Sequence, residues 1–594
     1  MRNQIFGRAL SGTAAVALVL VMGTAAKAAP GDDLDQLIEE SWQYALSQSP
    51  VFASQLDVAG YEGKVSDPSL EAQTSQADKA KEFLQRLEAI DETALTPEQK
   101  VNYGILRRTL NETIQRDSFG QRVINFTNRS GWHQNFASMA INSPFRNAAD
   151  YKSYVDRLAQ YPQINDTNIA IADQAIAGGY TLPCDAMQGY EVSITGLIAD
   201  DPKATRFYEP FTRPKPATMD QAEFDALAAR TETIISDVLY PELREHADWY
   251  ITSYAPACAV EPGVSAQPGG DAYYAFRIAE MTTTDLTADE IHNIGLSEVA
   301  RIRAEMEEVA AEAGYESREA FIEHLRTDPK YYAKTPEELM EKVARVTKII
   351  DGKMPTLFYR LPRLPYGIRE IPAETAEGTT TAYYNPGSPD IGISGTYYVN
   401  TSKLDQRPFW EIPALSVHEA VPGHHHQIAL QQELDMPDFR KYGAFFTAFV
   451  EGWGLYSERL GIEMGLYDTP AKNMGRLSYE MWRACRLVVD TGIHSKGWSK
   501  QQAVDFMLDN TALTAANIDA EVNRYISWPG QALAYKIGEL KIRELRGKAE
   551  ETLGDDFDLR AFHDTVLEQG AVPLDVLEAH VAAWIEAQRA DDEG

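Results

Sequence analysis

The sequence predicts a mainly α-helical protein with one small β-sheet, and three observations carry that expectation. Helix-start signals recur along the chain, amphipathic 3.6-residue patterning dominates, and a single segment, residues 378–401, is dense in β-forming residues. With 594 residues, 44% of them apolar, the chain can bury a large core and divide into two or more subdomains.

Residues 1–28 carry Arg2 and Arg8, the apolar run Ala14 to Met22, and Ala26-Lys27-Ala28, a small-x-small cleavage pattern. This is the form of a signal peptide with Ala28 as the last residue removed. The run is too short for a membrane anchor and no later stretch of ~20 apolar residues occurs, so the expected product is exported, periplasmic or secreted, without an anchor. No cysteine stands at the cleavage point to accept a lipid.

Residues 29–255 read as a helical N-terminal half. Thr96-Pro97-Glu98-Gln99 places a capping threonine, a proline at the first helical position and a Gln at the third. Residues 256–270, PACAVEPGVSAQPGG, read as a linker or surface loop. In residues 271–594, Thr287 with Glu290 and Thr335-Pro336-Glu337-Glu338 repeat the helix-start pattern. The exception is GTTTAYYNPGSPDIGISGTYYVNT, residues 378–401, where Thr, Tyr, Ile and Val punctuated by Gly and Pro predict a strand pair.

Cys184 and Cys258 both lie in proline-containing, loop-like sequence and are the expected disulfide pair in an oxidising compartment. Cys485, inside EMWRACRLVVD, reads as a buried helical thiol. The net charge of −33 becomes −36 once Arg2, Arg8 and Lys27 are removed, a charge that repels nucleic acid and anionic lipid surfaces and that solubility alone explains.

Residues 418–427, HEAVPGHHHQ, place three of the chain's 11 histidines in a row behind a His-Glu pair. On a regular helix, residues four apart are ~6 Å apart along the axis and two imidazoles can share an ion. Here the fourth position is Pro422. His425 returns to the face of His418 but about 10.5 Å away, and His424 points off to the side of an ideal helix. Proline removes a helix hydrogen bond and crowds the preceding turn, and Gly423 loosens it further, so the helix should widen or break. If Pro422 and Gly423 form two extra residues in a widened turn, His424 becomes the partner of His418, with His425 the alternative.

A third ligand is available in AFVEGWGLYSERL, where Glu451 lies 33 residues after His418 among apolar neighbours that make an unpaired acid costly. Glu458, next to Arg459, reads as a surface ion pair. Glu419 is left free to accept a proton from water on the ion, which points to one Zn2+ per chain and amide hydrolysis. His425 and His426 read as structural.

HEAVPGHHHQ, EGWGLYSERL, RACRLVVDTGIH and NRYISWPGQALAYKIG, with the long stretch 269–306, resemble the bacterial family catalogued as domain of unknown function 885 over nearly the whole mature chain. That family is regarded as related to the helical gluzincin metallopeptidases. The resemblance implies a large helical fold with a deep cleft, a small sheet beside the zinc, His418, His424 and Glu451 as ligands, and Glu419 as general base. It also implies that an edge strand, GISGTYYVN at 392–400 with Gly395 and Tyr397, binds the substrate backbone. His494, Tyr525 and Tyr535 are candidate oxyanion donors, and Arg524 a candidate clamp for a substrate carboxylate.

The expected function is an exported zinc metallopeptidase acting on short peptides. A periplasmic metal-buffering protein, an inactive helical binding protein, and a zinc amidase acting on a non-peptide amide are the rivals.

Overall fold

The computed structural model describes residues 29–372, 376, 380–389 and 392–592; the signal peptide predicted at 1–28 lies outside the described residues. The described chain is mainly helical, with a single three-stranded sheet among the described residues. The expected helix starts form. Thr96 accepts from the Gln99 N–H at 3.2 Å and Gln99 returns the bond at 3.3 Å. Thr287 and Glu290 make the same reciprocal pair. At Thr335 only half of the pattern forms, because the Glu338 carboxylate turns to the Lys334 N–H instead.

The elements that frame the site are α1 (Gly270–Thr282), α2 (Ala288–Glu312), β1 (Tyr366–Glu370), β2 (Ala382–Asn385), β3 (Gly395–Val399), α3 (Ile412–Glu419), α4 (His424–Glu433), α5 (Thr447–Leu460), α6 (Pro470–Lys496), α7 (Ala515–Ser527) and α8 (Ala534–Leu553). α6 is the axle of this half: every residue from Met474 to His494 is buried. A helix enclosed on all sides must pair whatever charge it carries. Arg476 meets Glu480 at 3.1 Å, Lys536 of α8 meets Glu480 at 2.9 Å, and Arg486 meets Glu521 of α7 at 3.0 Å.

α5 packs on α8 through a glycine pair. A methyl group at Gly538 would lie 1.9 Å from the Ala448 carbonyl oxygen, and one at Gly452 would lie 2.6 Å from the Gly538 backbone. Only glycines let these two backbones touch.

The predicted strand pair is present as β2 and β3, antiparallel with Tyr384 opposite Tyr397. β1 adds a parallel partner on the other side of β3, with Tyr366 opposite Gly395, so the order is β1-β3-β2. This corrects the expectation that 392–400 is an edge strand. Both sides of β3 are hydrogen-bonded, and among the described residues β1 and β2 are the edge strands. β2 packs against α3.

The expected disulfide forms between Cys184 and Cys258, and Cys485 is buried and free. Around the disulfide the segment 256–270 is pinned rather than loose. Ala259 N–H donates to Leu182 O at 3.0 Å, Val264 is buried, and Val264 N–H donates to His494 Nδ1 at 3.1 Å.

Candidate metal centre

α3 stops at Glu419 and α4 starts at His424, separated by Ala420, Val421, Pro422 and Gly423 with a cis Val421–Pro422 bond. The helix therefore breaks; it does not continue as one coil with a widened turn. The Gly423 N–H reaches back to Val417 O at 2.8 Å and the His425 N–H to Ala420 O at 3.0 Å. Gly423 is required there, since a methyl group would sit 1.9 Å from the His418 carbonyl oxygen. The break brings His424 to His418, with ring centroids 4.7 Å apart and nearly perpendicular. Trp453 of α5 donates to Pro422 O at 2.7 Å and fixes the turn from the opposite side.

α5 supplies the rest. Glu451, Gly454 and Glu458 fall at positions i, i+3 and i+7, on one face of the helix. The His418 ring lies across this face: Nε2 is 3.6 Å from Glu451 Oε2, and Nδ1 donates to Glu458 Oε1 at 2.8 Å. Beneath it, a methyl group at Gly454 would come within 2.8 Å of the ring. His424 Nε2 is 3.4 Å from the same Glu451 oxygen. Ligand atoms of His418, His424 and Glu451 all lie within 4.8 Å of one another.

This donor set fits zinc in type and spacing. Ligands ~2.0–2.1 Å from a tetrahedral ion stand roughly 3.3 Å from each other, close to the 3.4 and 3.6 Å distances here. The charge also fits. Three carboxylates, Glu419, Glu451 and Glu458, face one guanidinium, that of Arg483, 3.3 Å from Glu458. Burial works against a charged His418, yet Glu451 and Glu458 overcome it and hold this imidazole up at about 10. Burial likewise opposes the Glu451 carboxylate, and the two imidazoles keep it well below the usual carboxylate range. The same field that favours a positive imidazole favours a cation between the three side chains.

Glu458 is where the sequence reading needs its largest correction. It is 1% exposed, not a surface partner of Arg459, and it orients His418. The i, i+3, i+7 spacing of Glu451, Gly454 and Glu458 is the signal that could have found it.

Glu419 is 8% exposed, beside the first histidine, and pairs with no cation among the described residues. Tyr397 is fully buried, so its side chain is part of the packed interior beside the site and not a rung for peptide. Gly395 is a close-approach position: a methyl group there would strike the Tyr384 hydroxyl at 2.4 Å and His425 Nδ1 at 2.7 Å. His425 is held by Tyr384 Oη at 2.9 Å and Leu364 O at 3.0 Å, away from Glu451. His426 is buried against Phe358.

Two of the predicted oxyanion donors are already engaged by other groups. His494 accepts from Val264 N–H and donates to Tyr525 O at 2.9 Å, leaving neither ring nitrogen available. The Tyr525 hydroxyl is enclosed by Trp482 Nε1 at 2.9 Å and Arg486 Nε at 3.1 Å. Tyr535 accepts from Arg524 at 3.0 Å, which places both residues in an arginine cluster.

A mainly helical chain with a two-histidine, one-glutamate cluster at a broken helix is thus the class that fold and site define. Over residues 50–581 it matches the family described as "Bacterial protein of unknown function (DUF885)", and the chain belongs to that family. No curated protein matches it. Among solved structures, "the putative lipoprotein from Colwellia psychrerythraea" is 28% identical, with a TM-score of 0.85 over 94% of this chain and 100% of that one. "A putative lipoprotein of unknown function from Shewanella oneidensis" is 19% identical, with a TM-score of 0.70 over 93% of this chain and 99% of that one, and shares the fold.

Proposed function

We propose that this protein is an exported, zinc-dependent metallopeptidase of the gluzincin type that hydrolyses short peptides. The observation that carries the proposal is the convergence of His418, His424 and Glu451 on one point, with the unpaired acid Glu419 next in the chain. A zinc ion held by those three side chains would supply the Lewis acidity that acidifies a water and polarises a scissile carbonyl. Glu419 accepts the proton of the attacking water and delivers it to the departing amine. Glu458 fixes the His418 ring so that Nε2 faces inward. β2, an edge strand among the described residues and packed on α3, is the strand available to an extended substrate.

Export is supported by the leader pattern and by the 28%-identical solved structure, described as a "putative lipoprotein"; no helix among the described residues is long and apolar enough to cross a membrane. The buffering alternative loses its motive, because only His424 of the three consecutive histidines joins the ligand cluster.

Metal analysis of the purified protein, together with digestion of a peptide library by wild type and Glu419→Gln, tests the reading. The variant should keep about one zinc and lose cleavage by several orders of magnitude. Equal turnover by both proteins rejects Glu419 as the base. His424→Ala should lose the metal and His425→Ala should keep it.

A further inference from the structure

A second charged cluster lies beside the metal centre, and its balance is the reverse. Glu521 of α7 is buried and faces three guanidiniums: Arg486 at 3.0 Å, Arg524 at 3.7 Å and Arg129 at 4.0 Å. One carboxylate against three cations leaves an excess of positive charge, which Asp490, one turn along α6 from Arg486, offsets only in part, in a chain whose overall charge is −33.

The donors are also in excess. Arg486 is 2% exposed, and its Nη1 is buried with no hydrogen-bond partner. Arg129 is 4.0 Å from its acid, too far for a hydrogen bond, at a turn closed by the Thr127 N–H to Ser130 O at 2.7 Å. Arg524 gives one nitrogen to Gln531 and Tyr535, and its other terminal nitrogen faces Glu521 beyond hydrogen-bond length. Guanidiniums gathered this way, with N–H groups unused, match a planar carboxylate.

The cluster is joined to the metal centre through α6. Arg483 touches Glu458, which holds His418, and Arg486 is three residues further along the helix, about 4.5 Å in rise. Both cations lie against one ring: Tyr535 is 6.0 Å from Arg483 and 4.4 Å from Arg486.

We propose that Arg129, Arg486 and Arg524 form a subsite for a substrate carboxylate, so that the site selects short peptides by an anionic end or side chain. That the carboxylate belongs to a peptide rests on the peptidase reading; that the cluster binds a carboxylate does not. Arg129 comes from the N-terminal half, so this half contributes directly to selection.

The test is calorimetric titration of Glu419→Gln protein as purified with Ala-Ala-Ala as free acid and as C-terminal amide, and with amidated Ala-Ala-Glu and Ala-Ala-Gln. The free acid should bind at least ~tenfold more tightly than its amide if the α-carboxylate is read. Amidated Ala-Ala-Glu should outbind amidated Ala-Ala-Gln if a side-chain carboxylate is read. Arg129→Gln and Arg524→Gln, both at partly exposed positions, should abolish the preference, and Arg524→Lys should restore part of it. Equal affinities within both pairs, no binding of any of the four, or a preference that survives both Gln variants overturns the proposal. Failure of the peptidase reading is separate: wild type then cleaves none of the peptides while carboxylate-dependent binding persists.

Discussion

An imidazole laid across a helix face needs space beneath the ring and an acceptor at its outer nitrogen. For His418 these come from Gly454 and Glu458. Gly454→Ala places a methyl group against the ring and should lower zinc content in a protein that still folds, as read by metal analysis beside circular dichroism. Glu458→Gln keeps the shape but weakens the orienting bond, and should cost roughly 10–100-fold in zinc affinity, measured by competition with a chelator. Asp490 of α6 offers a pH test away from the ligands. Burial lifts its carboxyl from 3.8 to about 7, against hydrogen bonds from Tyr274 and Gly530 that favour the ion. Its contribution to stability is full below pH 3.8, where the group is protonated folded or unfolded, and is lost as pH rises through 7. Asp490→Asn should therefore raise the melting temperature by a few degrees at pH 8 relative to wild type, with a smaller gain at pH 5. At this scale the sequence singled out the three side chains that the fold brings together, His418, His424 and Glu451. Glu458 was not legible in it, because an acid followed by an arginine reads as surface unless the facing histidine is already placed. His494 and Tyr525 misled for a related reason: their polar atoms are satisfied by backbone and side chains that only the tertiary fold brings near.

Among elements, the joint between α3 and α4 and the contact between α5 and α8 decide whether His418, His424 and Glu451 meet. Proline and glycine in sequence announced that the coil could not continue, but not whether it would bulge or part, since both relieve the same clash. The α5–α8 contact allows a direct check. Gly538→Ala forces a methyl group into the Ala448 carbonyl, which neither helix can avoid without sliding, and should destabilise by about 1–3 kcal/mol, seen as a lower melting temperature and reduced zinc content. Helix starts were the most readable elements, because Thr96 and Thr287 make caps closed within four residues. The two tyrosine-rich strands were readable from composition. β1 was missed: Tyr366–Glu370 carries one β-branched residue and ends on Arg369 and Glu370, so nothing local distinguishes it from a loop. Without β1, β3 looked like an edge.

For the molecule as a whole, the disulfide between Cys184 and Cys258 closes a loop of 74 residues in sequence separation. Replacing both cysteines by serine should remove ~4 kcal/mol by the chain-entropy estimate, observed as earlier thermal unfolding that added reductant no longer affects. The pairing was readable from the two loop-like contexts; the way 256–270 is tied to His494 was not, since it depends on contacts more than 200 residues apart. The parting of the coil at Pro422 has one last consequence. His418 and His424 belong to separate rigid rods, so an ion bound as proposed would be a clasp across a joint. Backbone amides from 418 to 426 should exchange with deuterium slowly when the clasp is shut and much faster after chelation, while those along α6 keep their protection.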